Sequence, residues 1–192
     1  MKYLKREFAC GEKFVQNSEM PGTSPYLVRK ASEYDATRIA EIQVGTWQVA
    51  YRGLLPDDYL DGLDPVRRTV VWKGLLSAAQ GVVFVAMKDS HIVGFCDVLP
   101  SRDAAAPPEI AEIAALYVEP SAWGTGAGRS LVASAVEYAR DHGFVVLTLW
   151  VLSTNTRARR FYEKAGFSPD GAEKSEERSG VSLHELRYRL DL

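Results

Sequence analysis

The residues with the clearest chemical potential are three glycines at alternate positions in Val118-Glu119-Pro120-Ser121-Ala122-Trp123-Gly124-Thr125-Gly126-Ala127-Gly128-Arg129-Ser130-Leu131. They follow an apolar run ending in Leu116-Tyr117-Val118, and a helical pattern comes after them. A strand that feeds glycines into a helix start exposes several free N–H groups and the positive end of the helix dipole. With no side chains in the way, phosphate oxygens can reach those amides, and pyrophosphate is the natural occupant. On the glycines alone, a purely structural turn competes evenly with a ligand site.

Two nucleotide fingerprints fail on this stretch. The dinucleotide pattern requires a glycine at the sixth position counted from Gly124, where Arg129 stands. The strand before it also follows a hairpin, whereas a dinucleotide fold usually opens with this unit. A phosphate-binding loop of the triphosphate type ends in Gly-Lys-Ser/Thr, which Gly128-Arg129-Ser130 only imitates. The glycine expected five places before Gly128 is replaced by Trp123.

Other reactive side chains are sparse. Cys10 and Cys96 are too few for a disulfide framework or a metal site, and Cys96 lies in an apolar strand-like run. His91, His142 and His184 are scattered without metal-ligand spacing, so no metal is expected. A reduced, cytoplasmic setting follows as the default. The N-terminus carries Lys2, Lys5 and Arg6 but no apolar core behind them, unlike a signal peptide. No apolar run approaches the ~20 residues that span a bilayer. The formal charge of −2 gives no electrostatic reason to expect nucleic acid or an anionic membrane as partner.

The elements that must position the glycines can be read from periodicity. At 192 residues, 46% apolar and 25% charged, the chain has the size and composition of one ordinary globular domain. Residues 1–25 are mixed and polar and close on Pro21-Gly22-Thr23-Ser24-Pro25, which marks them as an N-terminal extension before a domain at 26–192. Tyr26 to Arg29 reads as a strand. Ser32 and Asp35 then offer cap chemistry to a helix with Ile39, Ile42, Val44 and Trp47 at helical spacing. A second helical region carries Tyr59, Leu60 and Leu63, then Val70, Val71 and Leu75.

Val82–Met87 and His91–Val98 suit a hairpin across Lys88-Asp89-Ser90, and Ile110–Val118 is a further strand. After the glycines, Leu131, Val132, Ala135, Val136 and Ala139 share a helix face, with Gly143 placed to end it. Val145–Val151 is apolar enough for a central strand. A helix from Asn155 to Ala165, closed by Gly166, precedes a last alternating strand at Ser182–Leu190, with room for a short strand near Phe167. The order describes an α/β or α+β domain with a mixed sheet.

At this point a resemblance carries more than the glycines do. Leu116-Tyr117-Val118-Glu119-Pro120 followed by Trp123-Gly124-Thr125-Gly126-Ala127-Gly128 resembles motif A of the GNAT acyltransferases, Arg/Gln-x-x-Gly-x-Gly/Ala. Trp123 stands where Arg or Gln is usual. Asn155-Thr156-Arg157-Ala158-Arg159-Arg160-Phe161-Tyr162-Glu163-Lys164-Ala165-Gly166-Phe167 resembles the family's Asn-x-x-Ala-x-x-Phe-Tyr-x-x-x-Gly-Phe block. Two motifs in the right order are more specific than either alone. Thr46 to Pro56 resembles a segment between the first two helices of many bacterial members. The resemblance covers about residues 26–190 and implies a mixed, mostly antiparallel sheet of six to seven strands flanked by about four helices.

The same resemblance implies acetyl-CoA as co-substrate and direct N-acetyl transfer to a primary amine in a ternary complex. It places the pyrophosphate on the amides of Gly124, Thr125, Gly126, Ala127, Gly128 and Arg129, beside Trp123, and the pantetheine arm along Leu116, Tyr117 and Val118. Asn155 would touch that arm or cap its helix, and Arg157, Arg159 and Arg160 are candidates for the CoA phosphates. Tyr162 is the candidate general acid for the thiolate, because a phenol of pKa ~10 and a thiol of ~8.5 can share a proton. Glu112 is the candidate general base, with Glu109 a weaker competitor. Regular alternation puts Glu112 on one face with Ala114, Leu116 and Val118, unless a bulge changes the phase. Trp47, Tyr51 and Arg52 would line the acceptor pocket, the bland alternative being that the two aromatics belong to the core. Dimers are common in the family, so a homodimer is the expected assembly if one forms. The rival function is a non-catalytic acyl-CoA-binding regulatory module with the same fold, which would need neither Tyr162 nor Glu112.

Overall fold

Pairing between neighbours in sequence builds the first half of the sheet. In the computed structural model, which describes residues 24–192 apart from 79 and 105, β1 (Leu27–Lys30), β2 (Val82–Lys88), β3 (His91–Pro100) and β4 (Ile110–Val118) pair antiparallel in that order. Cys10 and residues 1–23 of the expected extension lie outside the described residues. β2 and β3 are joined by a two-residue turn in which Asp89 (φ 48°) and Ser90 (φ 68°) are both left-handed. That backbone matches the twist of the flanking strands.

The second half contains β5 (Val146–Leu152), β6 (Ser168–Arg178) and β7 (Val181–Asp191), giving the order β1-β2-β3-β4-β5-β7-β6. The two halves meet in a single parallel pairing, β4 against β5. Parallel neighbours need a crossover, supplied by α4 (Ala127–Asp141). The sheet is therefore mixed and mostly antiparallel, as expected.

Helices cover both faces. On one, α4 and α5 (Thr156–Lys164) bury Leu131, Ala135, Ala139 and Tyr162 against β-strand residues such as Cys96, Val98 and Leu149. On the other, α1 (Ala36–Ala50) and α3 (Pro65–Ala78) pack Ile39, Ile42 and Trp72 against Val85 and Phe95. Burying side chains of this size contributes about 1.5–3 kcal/mol each before chain entropy is subtracted.

Several expectations shift in detail. The second helical region divides into a short helix, α2 (Asp57–Asp61), and α3, interrupted around Gly62–Asp64. Within α3 the buried anchor is Trp72, whose indole N–H donates to Gln43, while Val70, Val71 and Leu75 are exposed. Asp35 does not cap α1 through its side chain. Its carboxylate accepts both nitrogens of Arg29 at 2.8 Å and the Ser32 backbone N–H at 2.7 Å. The strand near Phe167 is not short: β6 runs for 11 residues, almost all of them exposed. It is held by pairing with β7 and by charge contacts such as Lys174–Glu185 and Arg187–Asp170. A polar edge strand of this kind also resists pairing with another chain.

Candidate active site

The site originates in a bulge. Asp97 of β3 pairs with Ala115, but the next residue, Val98, pairs with Ile113, so Ala114 is an extra residue in β4. β4 stays paired to β5 only from Ile110 to Ile113, opposite Val146 to Leu149. Beyond the bulge the two parallel strands separate. They leave a cleft of about 1230 Å³ walled by β4, β5, the glycine turn, α5, and parts of α1 and the β6–β7 hairpin.

One lip of the cleft is the glycine turn. Gly124 (φ 76°) and Gly126 (φ 107°) adopt left-handed backbone that side-chain-bearing residues rarely tolerate, and Gly126 forms the N-cap of α4. Gly128 serves a different need: a β-carbon there would lie 3.2 Å from the Phe161 ring of α5. Among the described residues, none of the amides from Gly124 to Arg129 donates to a protein acceptor; the first helical bond at this end is Ser130 N–H to Gly126 C=O. The Thr125 hydroxyl donates to the Ala122 carbonyl at 2.6 Å and meets the Tyr26 hydroxyl at 2.5 Å, which ties the turn to the start of β1.

Trp123, the residue that departs from the family motif, has a defined role in this geometry. Its indole N–H donates to the Val118 carbonyl at 2.6 Å, and that carbonyl also accepts from Thr46 at 3.3 Å. The Val118 carbonyl is thus occupied, which leaves the open edge of β4 nearer Leu116 as the free backbone. The Arg157 guanidinium lies 3.2 Å over the Trp123 ring.

Cations gather at this end of the cleft. Arg129, Arg157 and Arg160 line it and form no ion pair among the described residues. Arg159 does not line it. Its guanidinium donates to the Tyr188 hydroxyl at 3.1 Å and to the Ser153 carbonyl at 3.0 Å, so it is held against β7 and the end of β5. Asn155 lines the cleft and caps α5, its side-chain oxygen accepting from the Ala158 N–H at 3.1 Å.

Tyr162 reaches the cleft from α5 as a mostly buried side chain, with its ring against Phe161 and Phe167. Burial pushes its hydroxyl above the ordinary phenol value, with smaller contributions from Cys96 and Tyr117. The group is therefore protonated at neutral pH, the form a general acid requires.

Glu112 is almost fully buried, 2% exposed, and faces the cleft. Its carboxylate pairs with the Arg102 guanidinium and accepts the Arg102 backbone N–H at 3.0 Å. The bulge at Ala114 removes it from the face of Leu116 and Val118 and puts it with Ala115 and Tyr117, correcting the regular alternation. Asp97 lies nearby on β3, its carboxyl pushed up to about 6 by burial, with Arg102 opposing the rise and Glu112 adding to it. Glu109 is exposed at the start of β4 and lies outside the cleft lining.

Trp47 and Tyr51 line the cleft from α1 and the residue after it, their rings 5.0 Å apart edge to face. The Tyr51 hydroxyl is raised by burial and by the neighbouring Tyr117 and Tyr162. Arg52 turns away to Asp57 and Asp61, at 3.1 and 2.7 Å. The sequence reading misses the rest of this wall. Trp150, Lys174, Arg178 and Glu185 come from β5 and the β6–β7 hairpin, with Arg178 5.3 Å from the Trp47 ring. No local motif marks them; Trp150 is on β5 itself, and the pairing of β7 with β5 and of β6 with β7 carries the others to the cleft. Among the described residues no group of three or more His, Cys, Asp or Glu side chains is placed to hold a metal ion, and no helix is long and apolar enough to cross a membrane.

A strand splay beside a helix N-terminus with unpaired amides is the arrangement that the resemblance to GNAT acyltransferases implies, and comparison with known proteins supports the family. The Acetyltransferase (GNAT) family model matches residues 37–167, and the chain belongs to that family of N-acetyltransferases. It is 31% identical over 160 residues to YuaI of Bacillus subtilis (strain 168), an uncharacterized N-acetyltransferase, covering 83% of this chain and 89% of that one. An uncharacterized N-acetyltransferase of Archaeoglobus fulgidus is 36% identical over 141 residues, 70% of this chain and 88% of the other. Among solved structures, the PaiA N-acetyltransferase of Thermoplasma acidophilum in complex with coenzyme A superposes with a TM-score of 0.67 at 19% identity, over 87% of this chain and 99% of that one. YncA of Salmonella typhimurium, solved with acetyl-CoA, gives 0.67 at 22% identity, over 86% and 93%.

Proposed function

We propose that this chain transfers an acetyl group from acetyl-CoA directly to a primary amine of a small molecule or protein within a ternary complex. The observation that carries the reading is the unpaired amide ladder from Gly124 to Arg129 on the lip of the β4–β5 splay, with unpaired guanidiniums beside it. A pyrophosphate is an anion of the size and charge that such an array binds. The splay itself gives an extended arm a backbone edge to follow, and PaiA and YncA, which share the fold, were solved with coenzyme A and acetyl-CoA.

Acetyl-CoA supplies an activated thioester when bound; the chain supplies position and protons. A free amide on the open edge of β4 near Leu116 polarises the thioester oxygen. Glu112 takes a proton from the incoming ammonium through water, since both carboxylate oxygens are already engaged by Arg102 while lone pairs remain. The C–N bond forms, the C–S bond breaks and Tyr162 gives its proton to the departing sulfur. The second proton, shed by the nitrogen as it becomes an amide, restores the Tyr162 hydroxyl through water, and Glu112 passes the first proton to solvent. Trp47 and Tyr51 wall the acceptor side. Most of the rate gain in this scheme comes from alignment of amine and thioester.

A screen of amine classes with acetyl-CoA, reading released thiol, tests the proposal. Thiol release with one class and its loss in Tyr162→Phe supports it. Tight acetyl-CoA binding with no thiol release from any amine supports the non-catalytic acyl-CoA-binding module instead.

A further inference from the structure

The charges that line the cleft divide by the elements that carry them. Arg129 of α4 and Arg157, Arg160 and Lys164 of α5 form no ion pair among the described residues. By contrast, every charged residue that lines the cleft from the β3–β4 connection, β4 and the β6–β7 hairpin is matched. Arg102 holds Glu112, and Asp103 is held by Arg187 at 2.8 Å. Lys174 pairs with Glu185 across the hairpin at 3.4 Å, and Arg178 with Glu176 along β6 at 2.5 Å. A ligand charge can be matched on these elements only by breaking one of those pairs.

Aromatic rings complete the matched wall. Trp47 of α1, Tyr51 just after it, Tyr117 of β4 and Trp150 of β5 all line the cleft. Two of the cations rest near rings as well as carboxylates, Arg178 at 5.3 Å from Trp47 and Lys174 at 4.1 Å from Trp150. Burial raises the Tyr51 and Tyr117 hydroxyls above the ordinary phenol value, so both stay protonated and add no charge. The Trp47 indole N–H, buried and without a partner among the described residues, is neutral as well. What this wall leaves unspent is therefore flat apolar surface and neutral polar groups, and not net charge.

We infer that the acceptor is a monoamine with an uncharged aromatic body, its one ammonium directed to Glu112 and its ring packed against Trp47, Tyr51 and Trp150. The inference rests on the acetyl-CoA reading and adds an acceptor class to it. Ring-to-ring contacts of the stacked or edge-to-face kind favour such a body beyond the area they bury. A polyamine would bring further ammonium groups, for which the wall has no unmatched carboxylate. A free amino acid would bring a carboxylate, for which it has no unmatched cation. Arg178 and Glu176 thereby determine specificity by cancelling one another, and uncovering either one admits a charged acceptor.

The test follows thiol release from acetyl-CoA by the full chain with four acceptors. Phenethylamine carries the ring and one ammonium, ethylamine lacks the ring, L-phenylalanine adds a carboxylate and spermidine adds ammonium groups. Wild type, Arg178→Gln and Glu176→Gln are compared, with acetyl-CoA binding measured beside them by calorimetry. Both substituted residues lie on the largely exposed β6, so the variants keep the fold. In wild type, kcat/KM for phenethylamine should exceed that for each of the other three by about tenfold or more. Glu176→Gln should raise L-phenylalanine relative to phenethylamine by about threefold, and Arg178→Gln should raise spermidine by a similar factor, the size of one exposed charge contact. A merely structural pair would not shift the two ratios in opposite directions. Wild type that prefers ethylamine, L-phenylalanine or spermidine, or uses them as well as phenethylamine, overturns this inference and leaves the acetyl-CoA reading standing. Variants that leave both ratios unchanged do the same, as does acetyl-CoA binding with no thiol release from any of the four. Failure of wild type to bind acetyl-CoA overturns that reading, and this inference with it.

Discussion

The Phe161 ring occupies the space that a side chain at position 128 would need, with its nearest carbon 3.2 Å from where a β-carbon would sit. Gly128 therefore lets α4 and α5 close on each other at the cleft mouth, a packing requirement inside a turn otherwise built for bare backbone. Gly128→Ala is predicted to push Phe161 aside and, with the better helix propensity of Ala offsetting part of the strain, to destabilise the fold by no more than about 1 kcal/mol. Adding Phe161→Leu should restore most of that loss in a thermal melt. Failure of the second change to rescue the first would remove Phe161 as the cause.

Tyr162→Phe deletes one hydroxyl from a buried ring and leaves its packing intact. The expected outcome is a turnover lowered by ~10²-fold, within the range for general acid–base groups, with acetyl-CoA affinity nearly unchanged. Single-turnover thiol release beside a binding isotherm separates the two effects. Unchanged turnover would strip Tyr162 of its proposed role.

Glu112→Gln keeps the size of the side chain and a carbonyl for the Arg102 amide. Turnover should fall at neutral pH and recover as pH rises toward the amine pKa, near ~10.4 for a lysine-like acceptor. The pH–rate profile is the measurement, with a melt run beside it because Glu112 also anchors Arg102. A flat ratio of wild type to variant across pH would sink the assignment.

Asp97 makes a stability prediction with a definite sign. Its carboxyl is raised from 3.8 to about 6 in the fold, chiefly by burial. The folded state then holds the proton more tightly than the unfolded chain, so this group's stabilisation is fully present below pH 3.8 and is lost as pH rises through about 6. Asp97→Asn should raise stability at pH 7 by ~1–3 kcal/mol and flatten the melting temperature between pH 5 and 7. Asp35, held down to about 2 mainly by Arg29, has the opposite sign and loses its contribution only as pH falls through that value. The window from pH 5 to 7 thus reports Asp97 with little interference from Asp35.

Tyr26→Phe removes one partner of Thr125 while the Thr125 bond to the Ala122 carbonyl stays. The glycine turn should become less ordered, and the acetyl-CoA affinity should fall by about threefold, the size of one modest hydrogen bond. A change in the melt alone, with unaltered affinity, would mean that Tyr26 serves only the core.

Those predictions rest on features of unequal legibility in the sequence. Periodicity sufficed for α4 because its burial follows one face: Leu131, Ala135 and Ala139 are all buried, as their spacing requires, whereas β2 and β3 are legible as continuous apolar runs buried on both faces. It failed for β6, where Ser168 to Arg178 is a polar run whose strand conformation comes from β7 and not from its own residues. In α3 the apolar positions suggested a stripe, yet Val70, Val71 and Leu75 face outward while Trp72 takes the core. At the site, glycine spacing pointed to a turn of bare backbone, but could not separate the left-handed Gly126 from the tightly packed Gly128. The face that Glu112 takes depends on a single inserted residue, Ala114, whose bulge is a property of the β3–β4 register. Arg157 and Arg159 are equal on paper. Only the tertiary structure sends one to Trp123 and the other to Tyr188.

The parallel join between the two half-sheets also bears on how the molecule forms. β2–β3, β3–β4 and β6–β7 pair through short connections, whereas β1 meets β2, β4 meets β5 and β5 meets β7 only across long ones, and β4 meets β5 only along Ile110–Ile113. Contacts that close long loops are entropically expensive and form late. Closing those long connections is therefore the expected slow step, and the cleft comes into being when β4 meets β5, as the part of the seam that never zips. Chain collapse and catalytic competence should then be separable in time, with near-native circular dichroism preceding acetyl-CoA binding in a refolding experiment.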